Sequence, residues 1–440
     1  MNSSRSTLRL ALAAATLFAA AAAFAQAPQL PPPETTDPVA LGIMQGFPPA
    51  PDKTVRLASV LKYPNARWAL HHMREIGPTA TVWRGAGAAS ALPAAPRALD
   101  GIEFDDAEGR RVSIADWQRS TYSDGLIVLH KGKVVYEQLY AGMLAREPHA
   151  LWSLSKSFTG LLAAALIAEG RIDPQALVST YLPELKETAW GDATVQQTLD
   201  MTTGVQYTED FRDPSSGISQ YLFAAGLVPA PANYAGPRTI PEFLKPVKKQ
   251  GEHGEGFVYK TVDTEVIGWL MSRVTGKSFA ALLSERIWSR IGAQEDAYAW
   301  VDSTGTQLAS VGLNATLRDL ARVGEMLRLN GRYNGQQVVP AAAIADIRKG
   351  ADPEKFKAAN MPMRAGYSYH NHFWIPHDAA GTFEMKGLFG QQVHINPAAG
   401  LVIVKLSSHP VGDTRFTHTL DRKAFAAIAA AVSHPGKAAP

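Results

Sequence analysis

Ser153 and Lys156 place a hydroxyl and an amine three residues apart, just where a long apolar run begins. On a helix, positions i and i+3 share one face, so the amine can reach the hydroxyl, take its proton and activate the oxygen as a nucleophile. A serine at a helix start is also commonly an N-cap, and the spacing alone does not separate the two roles. The chain repeats the pattern at Ser59 and Lys62, but Tyr63-Pro64-Asn65 follows. Proline removes an amide donor and disfavours helix in the residue before it, so that copy falls on a turn. After Ser153 the run from Ser157 to Gly170 is rich in Ala and Leu and ends at a glycine. It predicts a mostly buried helix with a glycine cap.

Acyl transfer through a serine needs more than a nucleophile and a base. A second proton carrier serves the leaving group, and two amide donors hold the oxyanion. Tyr259 follows the glycine-rich Gly251-Glu252-His253-Gly254-Glu255-Gly256 and precedes a helical pattern. A tyrosine beside the Lys260 ammonium can have its proton affinity lowered enough to shuttle protons; an aromatic packed at a helix start reads the same way. Gly387-Leu388-Phe389-Gly390-Gln391-Gln392 runs into a strand pattern. Its amides suit an acyl oxygen, and a tight hairpin turn would look alike.

Other chemistries find less support. The chain has no cysteine, which removes disulfides, thiol nucleophiles and Cys-ligated metals together. His370, His372 and His377 match no metal-ligand spacing, and solvated loop histidines are the default. Gly85-Ala86-Gly87-Ala88-Ala89-Ser90 lacks the strand that a dinucleotide loop requires. No G-x-S-x-G occurs, which argues against an α/β-hydrolase nucleophile elbow. No metal and no cofactor are therefore expected.

The elements that must position these residues follow from patterning. Arg5 and Arg9, an apolar run from Leu10 to Phe24 and Ala23-Phe24-Ala25 predict a signal peptide over 1–25, hence an exported protein, periplasmic or secreted, with no membrane anchor. The formal charge of +3 falls to +1 once Arg5 and Arg9 leave, so nucleic-acid binding has no electrostatic support. Residues 26–98 read as a Pro/Ala-rich leader and linker, with the main domain starting near Leu99. Gly125–His130 and Lys133–Gln138, joined by Lys131-Gly132, predict a hairpin; Gln392–Ile395 and Leu401–Leu406 predict strands near the other end. Helices fill about 157–330, Val266–Val274 and Leu317–Leu329 among them, and an alanine-rich helix closes the chain. The result is a mixed α/β (α+β) architecture: a sheet from about 99–150 and 335–435 with a helical region inserted.

These stretches, in this order, resemble the serine hydrolases of the β-lactamase and penicillin-binding superfamily. Leu199–Gly204, Tyr259–Leu270, Leu317–Gly324 and Val402–Pro410 bring the chain closer to the 6-aminohexanoate-dimer hydrolases and related carboxylesterases. The resemblance runs from about Gly101 to the last helix. It implies a β-lactamase/transpeptidase-like fold, with an antiparallel sheet flanked by terminal helices. It also implies Ser153 as acylated nucleophile, Lys156 as base, Tyr259 as proton relay, and the Ser153 and Leu388 amides as oxyanion hole. Substrate contacts then fall on Tyr207, Asp210 and Phe211 of the 207–217 loop, on Thr261, and on Gly387, Phe389, Gly390 and Gln391. The implied substrate is a small linear amide or ester, and relatives of this kind are often homodimers. Two departures stand out. Thr261 replaces the asparagine of Tyr-x-Asn, and no Lys-Thr-Gly occurs downstream beyond the fragment Lys386-Gly387. That motif presents a cation and a hydroxyl to a substrate carboxylate, so its loss weakens the case for anionic substrates such as penicillin.

Overall fold

Along the central strands nearly every residue is apolar, and alternate side chains point to opposite faces, so both faces of the sheet must be covered. The computed structural model describes residues 30–412 and 415–433 and shows what covers them. Strands β1 (Thr79–Val82), β2 (Ser123–His130), β3 (Lys133–Leu139) and β4 (His149–Ala150) precede helix α1 (Leu154–Ala168). Helix α2 (Thr261–Thr275), strands β5 (Ala297–Trp300) and β6 (Leu313–Ala315) and helix α3 (Leu317–Arg328) come next. The chain returns through β7 (Ser368–His370), β8 (Phe373–Ile375), β9 (Phe383–Gly387), β10 (Gln391–Asn396) and β11 (Leu401–Ser407) to helix α4 (Arg415–Ser433).

The main sheet has seven strands in the order β7-β8-β9-β10-β11-β2-β3, every neighbour antiparallel. Its two halves come from opposite ends of the sequence and meet where β11 pairs with β2, with Val402 opposite Leu129 and Val404 opposite Ile127. Ile127, Leu129, Val402 and Val404 join the large core that holds α1. Leu126, Val128, Leu401 and Ile403 join a second core with Trp117 and with Phe425 and Ile428 of α4. Helix α1 is buried at every position from Leu154 to Leu166. It ends as its sequence predicts, with Gly170 in the left-handed region at φ 69°.

Two boundaries differ from those predicted. The leader and linker over 26–98 are largely part of the fold among the described residues. Val55, Val60, Leu70, Met73 and Val82 are buried in the main core, and β1 pairs with β5. The Gly85–Ala98 stretch runs along β3, with the Ala95 amide donating to Val134 O at 2.8 Å and Arg97 to Val135 O at 2.7 Å. Scattered apolar residues among prolines and glycines carry no period, so their burial is a tertiary effect that local pattern does not register. The 157–330 region is not wholly helical either. Its β5 and β6 form a second sheet, ordered β1-β5-β6-β4, that delivers the chain to the start of α1. The predicted signal peptide, 1–25, lies outside the described residues. Among the described residues no helix is long and apolar enough to cross a membrane.

Candidate active site

The second sheet aims the serine. Just past β4 the Leu151 amide donates to Leu313 O at 2.9 Å, extending the pairing with β6. Trp152 then takes φ 50°, a left-handed conformation that costs a non-glycine residue about 1–2 kcal/mol. Ser153 begins α1, yet its side chain caps nothing. Instead its Oγ lies 2.9 Å from Lys156 Nζ, so the spacing serves the pair rather than a cap. Ser59, by contrast, sits in a 3-10 turn with its hydroxyl bonded to the Arg56 backbone.

Lys156 is fully buried, and its Nζ also donates to Ser310 O at 3.4 Å. Burial brings its ammonium pKa down to about 8, against the opposing pull of the Glu209 and Glu265 charges. A neutral amine is thus accessible near neutral pH and can accept the serine proton. Glu265 also builds this wall. Its carboxylate accepts from the Ala309 and Ser310 amides, each at 3.1 Å, and from the Tyr221 hydroxyl at 2.7 Å.

Tyr259 stands just before α2 with its hydroxyl in hydrogen-bonding reach of Ser153 and of Tyr369. The ring stacks on Trp374, centroids 5.8 Å apart, and Lys156 Nζ lies 5.2 Å from its centre. The expected lowering of its proton affinity by Lys260 does not occur. Lys260 Nζ turns back to Val258 O at 3.3 Å, and burial, reinforced by the Glu209 charge, pushes the phenol pKa up. Tyr259 therefore stays a phenol at neutral pH and can donate a proton.

Gly387 brings the end of β9 against the nucleophile turn. A Cβ there would lie 2.2 Å from Leu151 O and 3.1 Å from Leu154 N, so only hydrogen fits. Phe389 is also left-handed, at φ 60°, and its ring packs 5.3 Å from that of Trp152. Two strained residues thus brace the turns that carry the Ser153 and Leu388 amides. Both Ser153 and Leu388 line one cavity of about 280 Å³, together with Tyr259 and Gly387.

Of the predicted substrate contacts, Phe211 and Gly387 line this cavity and the others do not. Tyr207 is buried, with its ring against Gly217. Asp210 turns to Arg212 at 3.0 Å. Thr261 is buried in the first turn of α2, and its amide donates to Glu209 at 2.7 Å. Phe389 and Gly390 complete the 3-10 turn that Leu388 begins, and Gln391 donates to Ser407 O at 2.6 Å and to Leu388 O at 3.1 Å, fixing its shape. Glu209, Met361, Arg364, Trp374 and Lys386 line the cavity without having been singled out. Glu209 adjoins Asp210, and Lys386 belongs to the Lys386-Gly387 fragment, so a local signal existed for both. Arg364 and Trp374 have none. Among the described residues, His71, His72 and Glu147 bring three potential metal ligands within 4.8 Å of one another, and none of them lines this cavity.

Comparison with known proteins identifies the family. The Beta-lactamase family model matches residues 104–428. A curated relative from Paenarthrobacter ureafaciens, named 6-aminohexanoate-dimer hydrolase, is 34% identical over 359 residues, covering 81% of this chain and 89% of that protein. A solved structure from Bacillus anthracis, provisionally described as a 6-aminohexanoate-dimer hydrolase, has a TM-score of 0.81 and 34% identity, covering 88% of this chain and 100% of that one. A family VIII carboxylesterase, 16% identical with a TM-score of 0.52 over 71% of this chain and 95% of its own, shares the fold. With the family model spanning most of the chain and a relative this similar along nearly its whole length, the protein belongs to the Beta-lactamase family and is a serine hydrolase.

Proposed function

We propose that the protein is an exported hydrolase of linear amides or esters that works through an acyl-enzyme on Ser153. The observation that carries this reading is the 2.9 Å contact between buried Lys156 Nζ and Ser153 Oγ, with Ser153 lining a cavity shared with Tyr259 and Leu388. In the forward step neutral Lys156 takes the Ser153 proton while Oγ bonds to the substrate carbonyl carbon. The oxyanion that forms is held by the Ser153 and Leu388 amides. The C–N or C–O bond then breaks as Tyr259 passes its proton to the leaving group and recovers one from Lys156. Water enters by the reverse proton route and releases the acid. Phe211, Met361 and Trp374 give the cavity apolar walls, which suit a linear aliphatic chain, and the names of two similar proteins point to amides of that kind. Export rests on the Arg5/Arg9, Leu10–Phe24 and Ala23-Phe24-Ala25 pattern.

A panel of 6-aminohexanoate dimer, p-nitrophenyl esters and the cephalosporin nitrocefin tests the substrate class. Turnover of the dimer or the esters well above nitrocefin is expected; nitrocefin turnover matching the best ester would overturn the reading.

The base assignment also sets a pH dependence. Lys156 must be neutral to act, so kcat/KM should climb with pH and reach its half-point near 8. Glu209 favours the charged lysine. Glu209→Gln removes that charge, Lys156 loses its proton more readily, and the climb moves to lower pH. A pH–rate profile that does not move in Glu209→Gln would show that another group controls the limb.

A further inference from the structure

His71 and His72 follow the short helix Asn65–Ala69, and their rings meet Glu147, which lies just ahead of β4 on the approach to Ser153. The His72 amide donates to Ala69 O at 2.9 Å and the Ala150 amide of β4 to Leu70 O at 2.6 Å, so the two segments run side by side. The His72 ring lies flat on Trp68, centroids 4.0 Å apart, and its Nδ1 is 2.9 Å from Trp68 O. A carbonyl only accepts, so Nδ1 carries the proton and Nε2 of the neutral ring presents a lone pair. That lone pair faces acceptors. Nε2 lies 4.0 Å from Glu147 Oε1 and 4.0 Å from Glu75 Oε1, beyond hydrogen-bond range. Glu147 Oε2 accepts from the Leu144 amide at 2.9 Å and from His71 Nδ1 at 2.9 Å, which leaves Oε1 without a hydrogen bond among the described residues.

Protons do not fill this gap. A proton on His72 Nε2 would stand 4.0 Å from either carboxylate and beside the His71 ring, whose centroid is 4.4 Å from that of His72. Burial and the His71 charge both lower the proton affinity of His72. An ion pair thus accounts for His71 with Glu147 and leaves His72 unexplained. A divalent cation accounts for both, since bonds of about 2.0–2.2 Å to imidazole nitrogen and carboxylate oxygen span donors held roughly 4 Å apart. The tie from His72 Nδ1 to a backbone carbonyl is the outer contact that fixes the tautomer of a ligating histidine. The side chains of His72 and Glu147 are each 19% exposed, which gives an ion a way in, while His71 at 2% closes the inner side.

We propose that His71, His72 and Glu147 form a structural site for a divalent transition cation of the zinc class, with a fourth position open to water beside Glu75. Two imidazoles with one carboxylate suit such an ion over calcium or magnesium, which take oxygen ligands. The ion acts on the fold rather than on the reaction: it ties the N-terminal region to the segment entering β4, and none of its ligands lines the nucleophile's cavity. Nothing in this site depends on the role of Ser153.

The test uses the untagged protein, stripped with a chelator. Calorimetric titration with zinc should give one equivalent per chain, and the melting temperature should rise with zinc concentration. Cobalt(II) in its place should give the intense visible absorption of a tetrahedral site. His72→Gln and Glu147→Gln each remove a ligand, so each should weaken zinc by more than the about 10–100-fold that an outer contact is worth, and should abolish both the melting shift and the cobalt band. Zinc affinity unchanged in either variant, or a wild-type melting temperature indifferent to zinc, overturns the site. Ester turnover well below the melting temperature should be the same with zinc and with chelator; its loss in a folded, chelated enzyme would overturn the structural role. If the variants do not fold, zinc-soaked crystals of the wild type decide: an anomalous-difference peak between His72 Nε2 and Glu147 upholds the site, and no peak there ends it.

Discussion

Ser153→Ala is expected to lower kcat/KM by a factor on the order of 10⁵, and Lys156→Met by a comparable factor, because nucleophile and base act as a unit whose parts are worth little separately. The geometry explains why no neighbour replaces the lysine. Tyr259, in hydrogen-bonding reach of the serine, is held as a phenol. Glu209 is held by the Thr261 amide. Ser310 offers Lys156 only a backbone carbonyl. Methionine is preferred to alanine at this position because Lys156 is fully buried, and truncation would leave a cavity that destabilises the fold independently of chemistry. Fluorophosphonate labelling and single-turnover acylation, read beside thermal melting, separate the two effects. Lys156→Met with turnover within tenfold of wild type would show that the proton goes elsewhere.

The large expected loss depends on a scaffold assembled from distant parts of the chain. β4 reaches Ser153 through a sheet whose far edge, β1, lies in the Pro/Ala-rich N-terminal region. The Leu388 turn arrives on β9, close enough that Gly387 tolerates no side chain. Both approaches end in left-handed non-glycine residues, Trp152 and Phe389, whose rings pack together. Such conformations persist only where surrounding packing over-determines them, and both residues are buried in the main core. Strain beside the serine is thus opposed by burial in the same place.

This dependence on distant segments also explains what the sequence discloses. Ser153, Lys156 and the hairpin of β2 and β3 are legible because their signals are short-range: an i, i+3 spacing, an alanine-rich run with a glycine stop, and two β-branched and apolar runs around Lys131-Gly132. The meeting of β2 with β11 is legible only as two sets of strands at opposite ends. Residues 30–98 are misread because Val55, Leu70 and Val82 follow no helical or strand period, and nothing local says what they pack against. The cavity wall is hidden for the same reason. Glu209, Arg364, Trp374 and Lys386 come from four separate segments and converge only after folding. Tyr369, more than a hundred residues from Tyr259 in sequence, stands beside it, ring centroids 5.9 Å apart. Lys260, adjacent in sequence to Tyr259, turns away.

Tyr259→Phe should separate the proton-relay role from packing. The substitution keeps the ring on Trp374 and removes only the hydroxyl shared with Ser153 and Tyr369, so the fold should hold. For an amide, the leaving nitrogen must gain a proton before the C–N bond can break, and a positioned acid supplies about 10²–10⁴-fold. The expected loss in kcat for 6-aminohexanoate dimer lies in that range. A p-nitrophenyl ester releases a stabilised phenolate that leaves without protonation, so its loss should stay below about tenfold, reflecting only the missing hydrogen bond to Ser153. The contrast between the two substrates is the diagnostic. Tyr259 is a phenol at working pH, so what it contributes is a proton delivered late in the step, on the side of the leaving group. Equal losses on amide and ester would instead place Tyr259 in serine activation, and would move the proton-relay role to Lys156 alone.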